Sequence, residues 1–163
     1  MDDAATNAGA TRASIRDTFI RDKFIREKKI WFHHCDPAGI VFYPQYLLLM
    51  NEVLQEWFET GLAIDYAGLF AERDIGIPAI RLECDFLSPS RVGDTVQFTL
   101  SVDRIGTSSI HLRFSCTGSD PADVRVRIKA VLVCVSLDSR RPIPIPDDIR
   151  GAMQSRRSPA LDV

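Results

Sequence analysis

The sequence lacks any apolar run near the roughly 20 residues that a membrane-spanning helix needs. Its first residues, MDDAATNAGATRAS, are polar and contain no apolar centre of the kind found in signal peptides. A formal net charge of −2 provides no general attraction to nucleic acid. We therefore expect a cytoplasmic protein that binds neither membranes nor nucleic acid.

Cysteine is scarce, and its residues show no C-x-x-C spacing. The four cysteines are Cys35, Cys84, Cys116 and Cys134. Most of them fall in strand-like stretches, so we interpret them as buried thiols of a reducing compartment rather than as disulfides or metal ligands.

Motifs for metals, nucleotides and serine nucleophiles are also missing. The sequence contains no phosphate-binding loop, no G-x-S-x-G elbow, no H-E-x-x-H and no dinucleotide fingerprint. His33 and His34 are adjacent, so on a strand they would point to opposite faces and could not bind one metal ion together. We expect no metal site and no cofactor.

The length and composition that are present fit one globular domain. With 163 residues, 45% of them hydrophobic and 26% charged, the chain can bury a core of its own. Residues 1–18 show no hydrophobic periodicity, and we expect them to form a disordered leader. We place a single domain at 19–150 and a tail at 151–163.

The hydrophobic pattern predicts both helices and strands. A strand is predicted over 24–34, then a long helix that begins at Pro44 and ends at Gly61, and a shorter helix over 64–73. Alternating stretches predict further strands over 79–87, 95–105, 109–117 and 124–137. One strand, a long helix and then a four-stranded antiparallel meander indicate an α+β fold.

The long helix is unusually apolar. One face carries, at helical spacing, Tyr46, Met50, Val53, Leu54 and Trp57. The leucines at 47–49 widen that apolar surface until it nearly surrounds the first turns. Such a helix needs to be covered, most simply by a curved sheet.

The segment HHCDPAGIVFYPQY, residues 33–46, contains the best-placed carboxylate, Asp36. Pro37 stiffens the turn, and Gly39 permits a backbone conformation that other residues resist. We expect the first N–H groups of the helix, near Tyr43 and Gln45, to be unpaired and to carry the positive end of the helix dipole. A carboxylate and free N–H donors that face one gap are the two parts that acyl transfer needs.

A second interpretation of Asp36 is purely structural. An aspartate before Pro and Gly often forms an Asx-type turn with its own backbone. The spacing of the residues alone leaves both interpretations open.

The stretch D-P-A-G-I-V-F-Y-P-x-Y, followed by an apolar helix, resembles the 4-hydroxybenzoyl-CoA thioesterase group of the hotdog-fold superfamily. The later SPSRVGD, residues 88–94, is similar to a turn that hotdog proteins carry between their second and third strands. The closing PIPIP at 142–146 and the order of the elements are also similar. The resemblance covers roughly residues 22–150.

The resemblance implies a hotdog fold, in which a long central helix is wrapped by a five-stranded antiparallel sheet. It also implies a homodimer or homotetramer with its active sites where the subunits meet. The activity it implies is hydrolysis of an acyl-CoA thioester. Asp36 would then be the nucleophile or the general base, and Tyr43 would supply the backbone N–H that polarises the thioester carbonyl.

The resemblance also guides the choice of substrate-binding residues. Near the turn, we assign this role to His34, Gly39 and Phe42. Some aromatic-acyl members carry a basic run between the third and fourth strands for the nucleotide phosphates, and the corresponding stretch here, 103–108, contains one arginine, Arg104. We name Arg104 and Arg113 as the candidates for contact with the CoA phosphates.

Several functions are compatible with these features. An acyl-CoA thioesterase acting on an aromatic, 4-hydroxybenzoyl-type acyl group is the first. A thioesterase for short or medium aliphatic acyl groups, on CoA or on acyl carrier protein, is the second. A non-catalytic hotdog protein that binds acyl-CoA is the third, although the carboxylate of Asp36 argues against it.

Overall fold

The fold is described from a computed structural model that covers residues 23–155. The leader expected at 1–18 and the end of the tail lie outside the described residues. Within 23–155 the chain has the α+β order of elements that the sequence predicts. None of the helices in this range combines the length and the apolar composition that crossing a membrane requires.

A five-stranded antiparallel sheet forms one layer of the fold, which confirms the prediction. Its strands are β1 (Lys23–Lys29), β3 (Ala79–Phe86), β4 (Thr95–Ile105), β5 (Ser109–Thr117) and β6 (Val124–Val133). Two short strands pair apart from this sheet, namely β2 (Ile75–Gly76) and β7 (Val135–Ser136).

The order of the strands across the sheet is β1-β4-β5-β6-β3. The predicted four-stranded meander is therefore wrong. Strands β4, β5 and β6 are consecutive neighbours, but β3 lies at the far edge beside β6, and β1 occupies the place next to β4. Alternation along a strand fixes which face is buried but does not say which strand is the neighbour.

The other layer is α1 (Pro44–Glu56), which packs on the sheet. The helix buries Tyr46, Leu49, Met50, Val53 and Leu54. These side chains meet the buried face of the sheet in one hydrophobic core that includes Phe98, Leu100, Leu112 and Phe114. Leu48, in contrast, is 57% exposed, so a single chain does not cover the helix on every side.

The helix ends where predicted, through a single π-helical turn, Trp57–Gly61. The reason for the glycine is close packing. A Cβ at Gly61 would lie 2.7 Å from the Trp57 side chain and 3.2 Å from that of Phe24. No left-handed backbone conformation is involved at this glycine.

Two predicted strands differ in length from the observed ones. The strand expected over 24–34 ends at Lys29, and Phe32–His34 form a 3₁₀ turn because Nδ1 of His34 accepts the backbone N–H of Trp31 at 3.0 Å. The histidine rings therefore do not point to opposite faces, and their centroids lie 4.0 Å apart. The strand expected over 124–137 is interrupted at Cys134, after which β7 pairs with β2.

Two further helices complete the described chain. The shorter helix expected over 64–73 is observed as α2 (Tyr66–Ala71). The last helix, α3 (Asp147–Ser155), was not predicted, and it crosses residue 150, where we placed the end of the domain. Its Ile149 and Met153 are fully buried, so the packed region extends past that boundary.

All four cysteines are free thiols. Cys116 and Cys134 are buried as expected, and burial raises the pKa of the Cys116 thiol to about 12 and that of Cys134 to about 11. Cys35 and Cys84 are half-buried.

Candidate active site

The turn that carries Asp36 is closed by two hydrogen bonds. The carbonyl oxygen of Asp36 accepts the N–H of Gly39 at 2.9 Å, and its Oδ1 accepts the N–H of Ala38 at 2.9 Å. Gly39 has a φ of +75°, which is the left-handed conformation that the sequence led us to expect. The Asx-type turn is therefore present.

The turn does not use the whole carboxylate. Asp36 is half-buried, and its Oδ2 has no hydrogen-bond partner among residues 23–155. A carboxylate that forms a turn with one oxygen keeps the lone pairs of the other for a ligand or for water. The structural and the chemical interpretation of Asp36 are thus compatible.

The segment 35–41 folds back on itself and docks against the chain that follows β3. Cys35 pairs with Val41, and the N–H of Asp36 donates to the carbonyl of Ile40 at 3.0 Å. The N–H of Val41 then donates to the carbonyl of Ser90 at 2.9 Å. These bonds fix the position of Asp36 relative to the start of α1, a few residues further on.

The start of α1 presents one free backbone donor. Within the part of the chain that the structure describes, the N–H of Tyr43 has no acceptor, and Pro44 has no N–H. The expectation for Gln45 is wrong, because its N–H donates to the carbonyl of Phe42 at 2.8 Å and the N–H of Tyr46 donates to that of Tyr43 at 3.2 Å. The free donor at the positive end of the helix is therefore the one on Tyr43.

An open groove of about 270 Å³ adjoins Tyr43. Its lining residues, all uncharged, are Ile40, Val41, Tyr43, Tyr46, Phe86, Leu87, Ser88 and Pro89. The Phe86 ring lies 5.9 Å from that of Tyr43 and 6.1 Å from that of Tyr46, measured between centroids. The groove can therefore hold a flat or apolar group beside Tyr43.

The sequence did not identify the groove residues outside 36–43. The hydrophobic pattern places Tyr46 on the apolar face of the helix and Phe86 and Leu87 at the end of a predicted strand. No motif marks them, because they come together only when the end of β3 meets the first turn of α1. The one signal was the SPSRVGD turn that directly follows them.

His34 and Phe42, both predicted to bind substrate, lie in different environments. His34 is buried, and its ring caps the 3₁₀ turn rather than bonding to Asp36. Burial, followed by the nearby charge of His33, lowers the pKa of His34, so the ring is neutral near pH 7. Phe42 is 48% exposed, and its ring contacts that of Tyr43 at 5.3 Å.

The two predicted arginines are not brought to the groove within one chain. Arg113 alternates with buried residues of β5, faces away from α1 and pairs with Asp103 at 2.9 Å. Arg104 is near the end of β4, and a rise of about 3.3 Å per residue places it roughly 30 Å from Thr95, where β4 starts beside Lys29, just before the segment that carries Asp36. Their role in binding phosphate stays a prediction.

Within 23–155, no three histidine, cysteine, aspartate or glutamate side chains are grouped so that they would hold a metal ion. The turn and the groove beside it offer a half-buried carboxylate on Asp36, a free backbone N–H on Tyr43 and an uncharged, largely apolar surface. Together with one long helix on a five-stranded antiparallel sheet, these groups are those expected of a hotdog-fold enzyme of acyl transfer.

Comparison with known proteins agrees with this class. Residues 30–153 match the thioesterase-like superfamily, and the chain belongs to that family. The resemblance to 4-hydroxybenzoyl-CoA thioesterases and the prediction of a thioester hydrolase are both confirmed.

Relatives with similar sequences or structures include three of known name. A 1,4-dihydroxy-2-naphthoyl-CoA hydrolase of Synechococcus sp. (strain WH7803) is 30% identical over 135 residues, which are 78% of this chain and 86% of the relative. The crystal structure of a 1,4-dihydroxy-2-naphthoyl-CoA thioesterase from Synechocystis has a TM-score of 0.75 at 20% identity and covers 86% of this chain and 98% of that one. The 4-hydroxybenzoyl-CoA thioesterase of Pseudomonas sp. strain CBS-3 has a TM-score of 0.73 at 23% identity and covers 80% of this chain and 99% of that one.

Proposed function

We propose that this thioester hydrolase acts on an aromatic acyl-CoA, with Asp36 as the catalytic carboxylate and the backbone N–H of Tyr43 as the oxyanion donor. The observation that carries the proposal is the unpaired backbone N–H of Tyr43, a residue that lines an uncharged, aromatic groove. The turn that presents Asp36 adjoins the same groove, since the Asp36 N–H bonds to Ile40, which lines it.

Negative charge develops twice during thioester hydrolysis, first on the carbonyl oxygen and then on the sulfur of the leaving group. As the thioester carbon is attacked, its carbonyl oxygen becomes an oxyanion, and a donor at the positive end of a helix stabilises that charge. The C–S bond then breaks, and the CoA thiolate leaves and takes up a proton.

Asp36 can supply the attack in two ways. As a nucleophile, its free oxygen bonds to the acyl carbon, and water then hydrolyses the mixed anhydride and regenerates the carboxylate. As a general base, it removes a proton from a water molecule whose oxygen attacks the same carbon. Both routes give a free acid and CoA, and both need Asp36 ionised.

We propose an aromatic acyl group because the groove is lined by aromatic and uncharged side chains. Its edge-to-face aromatic side chains favour another ring, and the uncharged lining disfavours acyl groups that carry a second carboxylate. Two similar proteins are named for aromatic substrates, 1,4-dihydroxy-2-naphthoyl-CoA and 4-hydroxybenzoyl-CoA. Gly39 and Phe42 are proposed to contact the substrate near its thioester.

We propose a homodimer because the two edges of the sheet differ in character. The edge strand β1 has the sequence KFIREKK, whose lysines discourage pairing with another strand. The other edge, β3, exposes Ile80, Leu82 and Phe86, and Leu48 of α1 is exposed as well. A second copy that covers these apolar side chains would enclose the groove, and further pairing would give a tetramer.

The test is a panel of acyl-CoAs assayed for release of free thiol. We expect benzoyl and naphthoyl derivatives to give a higher kcat/KM than hexanoyl-CoA or acetyl-CoA, and we expect EDTA to leave these values unchanged. A preference for aliphatic chains or for acyl carrier protein would favour the second function. Acyl-CoA binding without any thiol release would leave only the non-catalytic one.

A cytoplasmic location is proposed on the four free thiols. Fractionation of cells that produce the full chain, followed by detection in each fraction, tests it.

A further inference from the structure

Arg125, the second residue of β6, holds its guanidinium in a largely buried network beside the groove. Its Nη1 donates to the carbonyl oxygen of Pro89 and lies 3.6 Å from Oδ2 of Asp94. Its Nη2 and Nε donate to Oδ2 of Asp123 at 2.7 and 3.0 Å. Only 17% of the side chain is exposed. The guanidinium is thus occupied by one carbonyl group and two carboxylates.

The backbone of Arg125 holds the same segment from its other end. The carbonyl oxygen of Arg125 accepts the N–H of Leu87 at 2.8 Å and that of Ser88 at 3.2 Å. Residues 87–89 form one wall of the groove. Arg125 therefore fixes this wall both through its main chain and through its side chain.

The wall is connected directly to the segment 35–41 and to α1. Ser90, which follows Pro89, donates its N–H to the phenol oxygen of Tyr46 at 3.1 Å and accepts the N–H of Val41 at 2.9 Å. A shift of Pro89 would therefore change the distance between the wall and the Tyr43 side of the groove. Arg125 itself does not line the groove, so it acts through Pro89.

The neighbouring Gly118 makes room for this network. A Cβ at Gly118 would lie 2.5 Å from Oδ2 of Asp123 and 3.1 Å from Nη2 of Arg125. The ion pair packs against the bare glycine, and an alanine at this position would displace it while leaving both charges in the protein.

We propose that Arg125 is a positioning residue that fixes the wall formed by 87–89 and thereby decides which acyl groups the groove accepts. The proposal rests on the proposed function, since that function makes the groove the acyl site. Only a planar guanidinium can donate to Asp123 on one side and to the Pro89 carbonyl on the other. A lysine keeps the charge but offers a single flexible ammonium group, so it cannot hold both partners in place.

The test compares Arg125→Lys, Arg125→Gln and Gly118→Ala with Arg127→Gln as the matched control. Arg127 lies two residues further along β6, is exposed, and has no hydrogen-bond or ion-pair partner among the residues described. For each full-length variant, kcat and KM are measured separately with benzoyl-CoA, naphthoyl-CoA, hexanoyl-CoA and acetyl-CoA. The midpoint of urea unfolding is measured on the same samples.

We expect the Arg125 variants to lose on the order of 10- to 100-fold in kcat/KM for the preferred bulky acyl group, since small misplacement of a bound substrate is costly. Acetyl-CoA, which is too small to reach the wall, should lose much less, so the preference between acyl groups should fall. Gly118→Ala should change the preference in the same direction, and it serves as the test should the Arg125 variants fail to fold. Arg127→Gln should match the wild type.

Equal losses for all four substrates in the folded variants would overturn the proposal, because loss of stability alone lowers every rate alike. An unchanged preference, or the same change in Arg127→Gln, would overturn it too. Absence of thiol release by the wild type with every acyl-CoA would instead overturn the proposed function, and this inference with it.

Discussion

The phenol oxygen of Tyr46 accepts a hydrogen bond from the backbone N–H of Ser90 at 3.1 Å. Both residues are buried, and burial raises the pKa of the Tyr46 phenol, so its hydroxyl stays protonated. The bond joins the first turn of α1 to the segment that leaves the groove wall. Tyr46, which lines the groove, is therefore tied to the wall formed by residues 87–89.

Tyr46→Phe should destabilise the protein by about 1–3 kcal/mol, because it leaves the buried N–H of Ser90 without its acceptor. Urea unfolding of the two proteins measures the difference. The matched control is Tyr66→Phe, since the hydroxyl of half-buried Tyr66 has no hydrogen-bond partner within 23–155. Equal effects of the two substitutions would contradict this role of Tyr46.

Leu82→Glu should weaken the proposed dimer. Leu82 lies on the edge strand β3 and is 41% exposed in the single chain, and a glutamate there would bury a charge in the interface. A cost of about 2 kcal/mol corresponds to a roughly 30-fold rise in the dissociation constant. Sedimentation equilibrium measures it.

Leu137→Glu is the control, because Leu137 is 42% exposed but packs beside Gly76 of β2 rather than lying on the edge strand. A wild type that is monomeric at micromolar concentration would refute the dimer itself.

Met153→Ala should destabilise the protein by about 2–5 kcal/mol, because it opens a cavity beneath α3 where Met153 is fully buried. Gln154→Ala, at the exposed neighbouring position, should change the stability by less than about 0.5 kcal/mol. The midpoints of thermal or urea unfolding measure both. A neutral Met153→Ala would show that α3 contributes little to the core.

The sequence predicted those parts of the fold that depend on local pattern. The five strands, the apolar face of α1 and the stop at Gly61 all follow from periodicity or from a single residue type. The position of β3 at the sheet edge does not, because pairing between strands is decided by packing at long range. Helix α3 escaped prediction because only Ile149 and Met153 mark its buried face.

The candidate site likewise contains residues that the sequence predicts and residues that it does not. Asp36, Gly39 and Tyr43 lie within one short motif, so their proximity could be predicted from the sequence. The groove could not, because Phe86 and Pro89 reach it from β3 and the turn beyond. Gln45 was assigned a free N–H from helix geometry alone, and the carbonyl of Phe42, which turns back to accept that N–H, could not be foreseen.

The substitution Asp36→Asn separates the two roles of the aspartate. Asparagine keeps an oxygen at the position of Oδ1, so the hydrogen bond from the Ala38 N–H and the turn should survive. It has no carboxylate with which to attack the thioester or to accept a proton from water. The matched variant is Tyr43→Phe, which removes a hydroxyl but keeps the backbone N–H that the mechanism uses.

The most direct measurement is kcat of Asp36→Asn with the preferred acyl-CoA, alongside its unfolding midpoint. We predict an unchanged midpoint, a KM unchanged within about threefold and a fall in kcat of ~10²–10⁴, the usual range for loss of a general base. Tyr43→Phe should stay within about tenfold of the wild type, since the backbone donor remains. A kcat for Asp36→Asn equal to that of the wild type would show that Asp36 takes no part in the reaction and only forms the turn.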